Sequence, residues 1–250
     1  MWWIFAIAGG IAQLVDGTIG MGFGLTSATL LVTLGTSAAV ASAAVHAAEI
    51  GTTLVSGVSH WHRENVDFDL LKKLALPGGI GAFAGATFLS NIDLSNGKIF
   101  VSTLLFLLGI ALLYRQAFRP ESQVPMTEIT NPYYLRFLGL FGGFIDASGG
   151  GGWGPVVTPT LMATTATEPR KIIGTVSASE FIVAVCASAG FLLNIDKLDV
   201  DWAVVGGLAL GGALMAPIAA RVVSKMPHRR LGIFIAIAII VINGVRLLGL

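Results

Sequence analysis

The chain has 250 residues, of which 54% are hydrophobic and 12% charged, with a net charge of +1. Its mean hydropathy of +0.81 excludes an ordinary soluble domain, where about a quarter of residues are charged, and so balanced a charge gives no basis for nucleic-acid binding. A single cysteine, Cys186, excludes an internal disulfide and any multi-cysteine metal site.

Apolar segments cover 2–34, 37–60, 70–90 and 97–114, and again 134–165, 170–194, 202–223 and 230–249. Runs such as Ile99–Tyr114 and Leu231–Leu250 approach the roughly 20 residues that span a bilayer as a helix. They do not alternate as barrel strands do, so the fold class expected is all-α and polytopic. Met1–Val15 lacks a basic leading region and is read as structure rather than as a signal peptide. The first segment is interrupted at "VDGTIGMGFG" (Val15–Gly24). The fifth is interrupted at "FIDASGGGGWGPVVTPT" (Phe144–Thr160). Between the two sets lies a polar linker, 115–133, with three prolines.

The two interrupted stretches align with each other. Asp16 meets Asp146, Thr18 meets Ser148, and Phe23 meets Trp153. Gly20, Gly22 and Gly24 meet Gly150, Gly152 and Gly154. Further on, "VHAAE" (Val45–Glu49) meets "VSASE" (Val176–Glu180), and "GGIGAFAGA" (Gly78–Ala86) meets "LGGALMAPI" (Leu210–Ile218), with the offset held between 130 and 132. A constant offset with a shared acid pattern reads as duplication. One integral membrane domain is expected, with repeats at 1–114 and 134–250.

Charge sets the orientation of these repeats. With the 61–73 loop in the cytoplasm, an inverted arrangement puts nearly every basic cluster inside and leaves Lys98, Lys197 and Arg246 as exceptions; a parallel one mixes the signs across the acidic 194–201 loop. The inverted arrangement requires each broken segment to fold as a hairpin that enters and leaves on one side. Its arms are short. Roughly 14 residues rise about 21 Å, less than the ~30 Å hydrocarbon core, so the hairpin tips must lie within the membrane, where loose backbone needs a protein-lined setting.

Four acids, Asp16, Glu49, Asp146 and Glu180, lie inside apolar segments with no Lys or Arg at similar depth. A charge at mid-bilayer costs about 2.5–3.5 kcal/mol. The functional reading is a proton or coupling-ion site; for the two aspartates, the competing one is capping of the following half-helix. Ser42, His46, Glu49, Thr53, Ser56 and His60 recur at spacings of 4, 3, 4, 3 and 4, which is one helical face. Such a stripe reads as a polar path or as helix–helix glue, and His46 one turn from Glu49 reads as a proton-sharing pair.

At the breaks, consecutive glycines expose amides, and helices begin near Gly24 and Gly154. Helix N-termini attract anions, and discontinuous helices meeting at the midplane are a recurring transporter design. The expected substrate site therefore comprises Thr18, Gly20, Gly22 and Gly24 with Ser148, Gly150, Gly151, Gly152 and Trp153; Trp153 and Phe23 either wall it or simply pack. Proton or ion coupling is assigned to Asp16, His46, Glu49, Asp146 and Glu180. The G-x-G-x-x-G lettering of Gly149–Gly154 lacks the strand–helix context of a dinucleotide fold. The Gly81/Gly85 and Gly207/Gly211 pairs read as close helix packing.

These motifs carry a resemblance. "DGTIGMGFG", "DASGGGGWGP", "HAAEIGTTLVSGVSHWHRENVD" (His46–Asp67) and "EPRKIIGTVSASEF" (Glu168–Phe181) make the chain similar to the sulfite exporter TauE/SafE family of permeases, over nearly its whole length. Its first tip carries Ile19 and Met21 where the second has Gly149 and Gly151. The resemblance implies transport of sulfite, sulfonates or related small sulfur-containing anions across a bacterial inner membrane.

The function expected is therefore a secondary transporter for a small anion, with protons as coupling ions, embedded in the lipid bilayer and needing no cofactor or metal. A passive anion channel and a sodium-coupled carrier are the alternatives. An intramembrane enzyme has no H-E-x-x-H or G-x-S-x-G motif to support it.

Overall fold

In a computed structural model, residues 2–19, 22–92, 94–118, 131–165, 167–222 and 228–249 are described. Most of the expected linker, 119–130, lies outside them. The described residues form helices and no strands. In chain order these are α1 (Trp2–Ile19), α2 (Phe23–Thr33), α3 (Ala38–Trp61), α4 (Phe68–Ser90), α5 (Leu94–Phe118), α6 (Pro132–Gly149), α7 (Trp153–Thr164), α8 (Pro169–Leu192), α9 (Trp202–Val222) and α10 (His228–Leu247).

Local chemistry sets the boundaries. Asp67 starts α4 by accepting from the Asp69 and Leu70 amides at 3.0 Å each. Asn131 accepts from Tyr133 N at 2.9 Å ahead of α6, where Pro132 supplies a preset first turn. Both breaks fall where glycines adopt positive φ: Gly22 at 149°, Gly150 at 79° and Gly151 at 149°. These conformations are strained for any side chain.

Packing directions follow from glycine contacts. Gly139 lies against Leu74 and Gly143 against Gly78, so α6 runs parallel to α4. Gly79 lies against Cys186 and Gly190 against Phe83, so α8 also runs parallel to α4. The Asn91 amide donates to Asn194 Oδ1 at 3.4 Å where α4 and α8 end. Since α6 and α8 both follow α4, α7 must carry the chain back, and α6–α7 is a hairpin.

On the other flank, Gly207 lies against Trp2 and Gly211 against Ala6, which sets α1 parallel to α9. Gly109 lies against Ile239 and Ile240 while Gly244 meets Phe106, so α5 and α10 are antiparallel. The Gly81/Gly85 and Gly207/Gly211 pairs do serve close packing: a Cβ at any of the four would collide with backbone of α6 or α1. α3 lies centrally, buried along most of its length against α8, α9 and α6. By length and apolarity alone, Ala38–Trp61, Arg170–Leu192 and Trp202–Ala219 can cross a membrane.

Candidate functional site at the two glycine breaks

The two breaks touch. A Cβ on Gly24, in the first turn of α2, would overlap Gly151 Cα and stand 3.0 Å from the Gly150 carbonyl oxygen. Only glycines allow backbones to approach so closely. The N-terminal ends of α2 and α7 are thereby brought together.

Each break is closed by its aspartate. Asp146 Oδ1 accepts from Gly152 N at 2.6 Å and Trp153 N at 2.9 Å, while its carbonyl accepts from Gly150 N at 2.8 Å and Gly151 N at 3.1 Å. Asp16 stands in the same relation to the amides of Gly22 and Phe23. Of the tip amides expected to be free, those of Gly22, Phe23, Gly152 and Trp153 are therefore held, in this conformation, by carboxylates from the preceding arm, and those of Gly150 and Gly151 by the Asp146 carbonyl. This is the capping role that competed with proton chemistry for both aspartates.

Asp146 does more than cap. Its second oxygen, Oδ2, lies 3.1 Å from His46 Nε2, with both side chains at 1% exposure or less. The other ring nitrogen, Nδ1, is 2.8 Å from the Ser42 carbonyl oxygen. A carbonyl only accepts, so Nδ1 carries a hydrogen. A close contact between Nε2 and a carboxylate oxygen then requires one proton between them, on either atom. The His46–Asp146 pair holds that proton in a site closed to water.

Glu49 completes the cluster from the next turn of α3. It is 1% exposed, and neither carboxylate oxygen has a hydrogen-bond partner among the described residues. Oε2 is 3.9 Å from His46 Nε2, and Oε1 faces the junction of the tips, 3.1 Å from where a Cβ on Gly24 would stand. The expected His46–Glu49 neighbours do meet, but Asp146, 100 residues away in sequence, is the closer partner. No local spacing signals that contact. Asp16 and Glu180 are partly buried and lie within electrostatic range of each other and of Glu49.

Residues 5–246 match the model of the sulfite exporter TauE/SafE family. The chain belongs to that family. It is also 44% identical over 241 residues, 96% of this chain and 80% of the other, to the probable membrane transporter protein YtnM of Bacillus subtilis (strain 168). No solved structure matches it. This TauE/SafE chain is an integral membrane protein and a membrane transporter.

The remaining site candidates of this TauE/SafE protein that are described pack into the helices near the cluster. Ser148 is buried and donates its hydroxyl to the Phe144 carbonyl at 2.6 Å. Trp153 is wholly buried; its indole N–H donates to the Val176 carbonyl at 3.1 Å and its ring covers Gly78. Phe23 occupies the matching place against Gly212 of α9. The Thr18 side chain and Gly20 lie outside the described residues. Along the α3 stripe, Ser42 donates to the Ala147 carbonyl at 2.6 Å and Ser56 accepts from Ser177 at 2.7 Å. Most of the stripe is thus buried against α6 and α8, with the His46–Glu49 pair at the tips.

Proposed function

We propose that this protein is a proton-coupled secondary transporter of a small anion, sulfite or an organosulfonate, in a bacterial inner membrane. The reading takes residues 1–114 and 134–250 as inverted repeats joined by the 115–133 linker. The antiparallel α5–α10 pair and the exchanged α1–α9 and α4–α6 pairs support it. The anion site lies where the tips meet. Gly22, Gly24, Gly150, Gly151 and Gly152 supply its backbone, with Thr18, Gly20, Ser148 and Trp153 beside it. His46, Glu49, Asp146 and Glu180 carry the protons, and Asp16, the cap of α2, adds its charge to the cluster.

One observation carries the reading: two helix N-termini meet, through Gly24 and Gly151, beside a buried histidine and carboxylate cluster. Helix N-termini favour negative charge, and a cluster that can take up protons offsets the cost of bringing an anion into the membrane. The family name supports the same substrate class, and the relative's description as a probable membrane transporter supports transport.

The test is sulfite flux in liposomes holding the purified protein. A pH gradient should drive accumulation, equally in sodium and in choline media. Glu49→Gln and Glu180→Gln should abolish the drive. Flux that ignores the gradient and survives both substitutions refutes proton coupling.

A further inference from the structure

The proposed anion site already has a ligand of anionic character, supplied by the chain itself. Building on the anion-transport reading, we propose that the Asp146 carboxylate is a tethered competitor of the substrate: it occupies the Gly152 and Trp153 amides that the anion takes, and the proton it shares with His46 releases it.

The geometry supports this in three ways. First, Asp146 Oδ1 sits on both leading amides of α7 at 2.6 and 2.9 Å. A carboxylate oxygen and a sulfite or sulfonate oxygen are the same kind of acceptor for a helix N-terminus. The two cannot hold the same N–H groups at once.

Second, the release step needs no outside reagent. With Nδ1–H held by the Ser42 carbonyl, the proton at the Nε2–Oδ2 contact has two resting places. When it moves from Nε2 to Oδ2, the N–H bond breaks, the O–H bond forms, and imidazolium and carboxylate become imidazole and carboxylic acid. The neutral acid is the weaker acceptor, so the amides become available.

Third, Glu49 is buried, without a hydrogen-bond partner among the described residues, and faces the tip junction from α3. As a bare carboxylate it repels an entering anion; as an acid it donates an O–H to one. Anion entry is thereby tied to proton uptake. The titratable groups bearing on Asp146 are His46 and Glu49 of α3, Glu180 of α8 and, across the cluster, Asp16 of α1. α7 contains no titratable residue, and α4 and α5 carry theirs near their ends.

The experiment measures equilibrium binding to the full-length purified protein with methanesulfonate and nitrate, which stay ionised throughout, alongside sulfite. Wild-type affinity should rise as pH falls from about 8 to about 6, because only a pair that holds its shared proton can pass it to Oδ2, and the pair gains that proton from solution as pH falls through the range in which histidine chemistry acts. Asp146→Asn keeps a capping oxygen but removes the charge. If the carboxylate leaves its amides about a tenth of the time at the higher pH, this variant should bind ~10-fold more tightly there and lose most of the pH dependence. His46→Gln should weaken binding at both pH values. An Asp146→Asn protein that binds no more tightly, or that keeps the wild-type pH slope, overturns the proposal. If wild type binds neither sulfite nor methanesulfonate but Asp146→Asn gains affinity for nitrate, the substrate assignment fails and the tethered carboxylate stands. If no anion binds either protein, both fail.

Discussion

Gly24→Ala adds one methyl group at the point where the breaks touch. The new carbon would overlap Gly151 Cα and stand 3.0 Å from the Gly150 carbonyl oxygen and 3.1 Å from Glu49 Oε1. The first two are backbone atoms of a turn held at φ values of 79° and 149°, so they cannot swing aside as a side chain does. Overpacking of this kind costs about 1–3 kcal/mol. Alanine's better helix propensity returns at most about 1 kcal/mol. The net loss is about 1–2 kcal/mol, and at about 2–4 °C per kcal/mol for a chain of this size the melting temperature should fall by about 5 °C. Gly206→Ala is the control. Gly206 lies in α9 with nothing within 4 Å of an added Cβ, so the same substitution keeps only the propensity gain and should leave the melting temperature unchanged or higher. The assay is thermal unfolding of purified protein in one detergent, followed by tryptophan fluorescence, with anion flux measured in parallel. Gly24→Ala protein as stable and as active as Gly206→Ala protein would show that the tips do not meet as described.

Two further outcomes test the other cap and the topology. Asp16→Asn should be tolerated in thermal unfolding, because the asparagine amide oxygen still caps the helix although it is a weaker competitor for the amides than a carboxylate, whereas Asp16→Ala should cost about 1 kcal/mol; equal losses would mean that the Asp16 charge, not its capping oxygen, matters. On a Cys186→Ser background, a membrane-impermeant thiol reagent applied to intact cells should label Asp199→Cys and spare Glu64→Cys, because the inverted arrangement puts the 194–201 and 61–73 loops on opposite faces.

Much of this fold is legible in the sequence because membrane helices write their limits plainly. The breaks appear as glycine runs, since only glycine tolerates the φ values at Gly22, Gly150 and Gly151. Boundaries slip where capping rather than hydropathy sets them. α4 begins at Phe68, just before the apolar run from position 70, because Asp67 caps it, and α5 continues past Tyr114 to Phe118 through residues too polar to register as membrane. The site is less legible. The periodicity of α3 puts His46 beside Glu49, but the shorter His46–Asp146 contact joins positions 100 apart and exists only once α3 packs on α6. Ser148 and Trp153 look like site residues because they sit at the tip; whether such a side chain faces a cavity or its own helix is decided by tertiary packing. Here Ser148 turns back to Phe144, and Trp153 covers Gly78.

The two breaks share an aspartate cap and differ in chemistry, and the difference has a direction. Both aspartates cap the half-helix that follows them. In the alignment of the proposed repeats, the position of His46 is taken by Ser177, whose hydroxyl donates to Ser56. A hydroxyl in that contact holds two helices together but does not exchange a proton near neutral pH, whereas imidazole does. The first tip also replaces two glycines of the second with Ile19 and Met21. On the proposed repeat, one carboxylate-capped helix end keeps its cap as plain structure and its counterpart has a proton partner. The consequence is measurable as a contrast. Asparagine at position 16 should leave pH-driven transport nearly intact, and asparagine at position 146 should uncouple it, although the two substitutions remove the same charge from places that the proposed repeat makes equivalent.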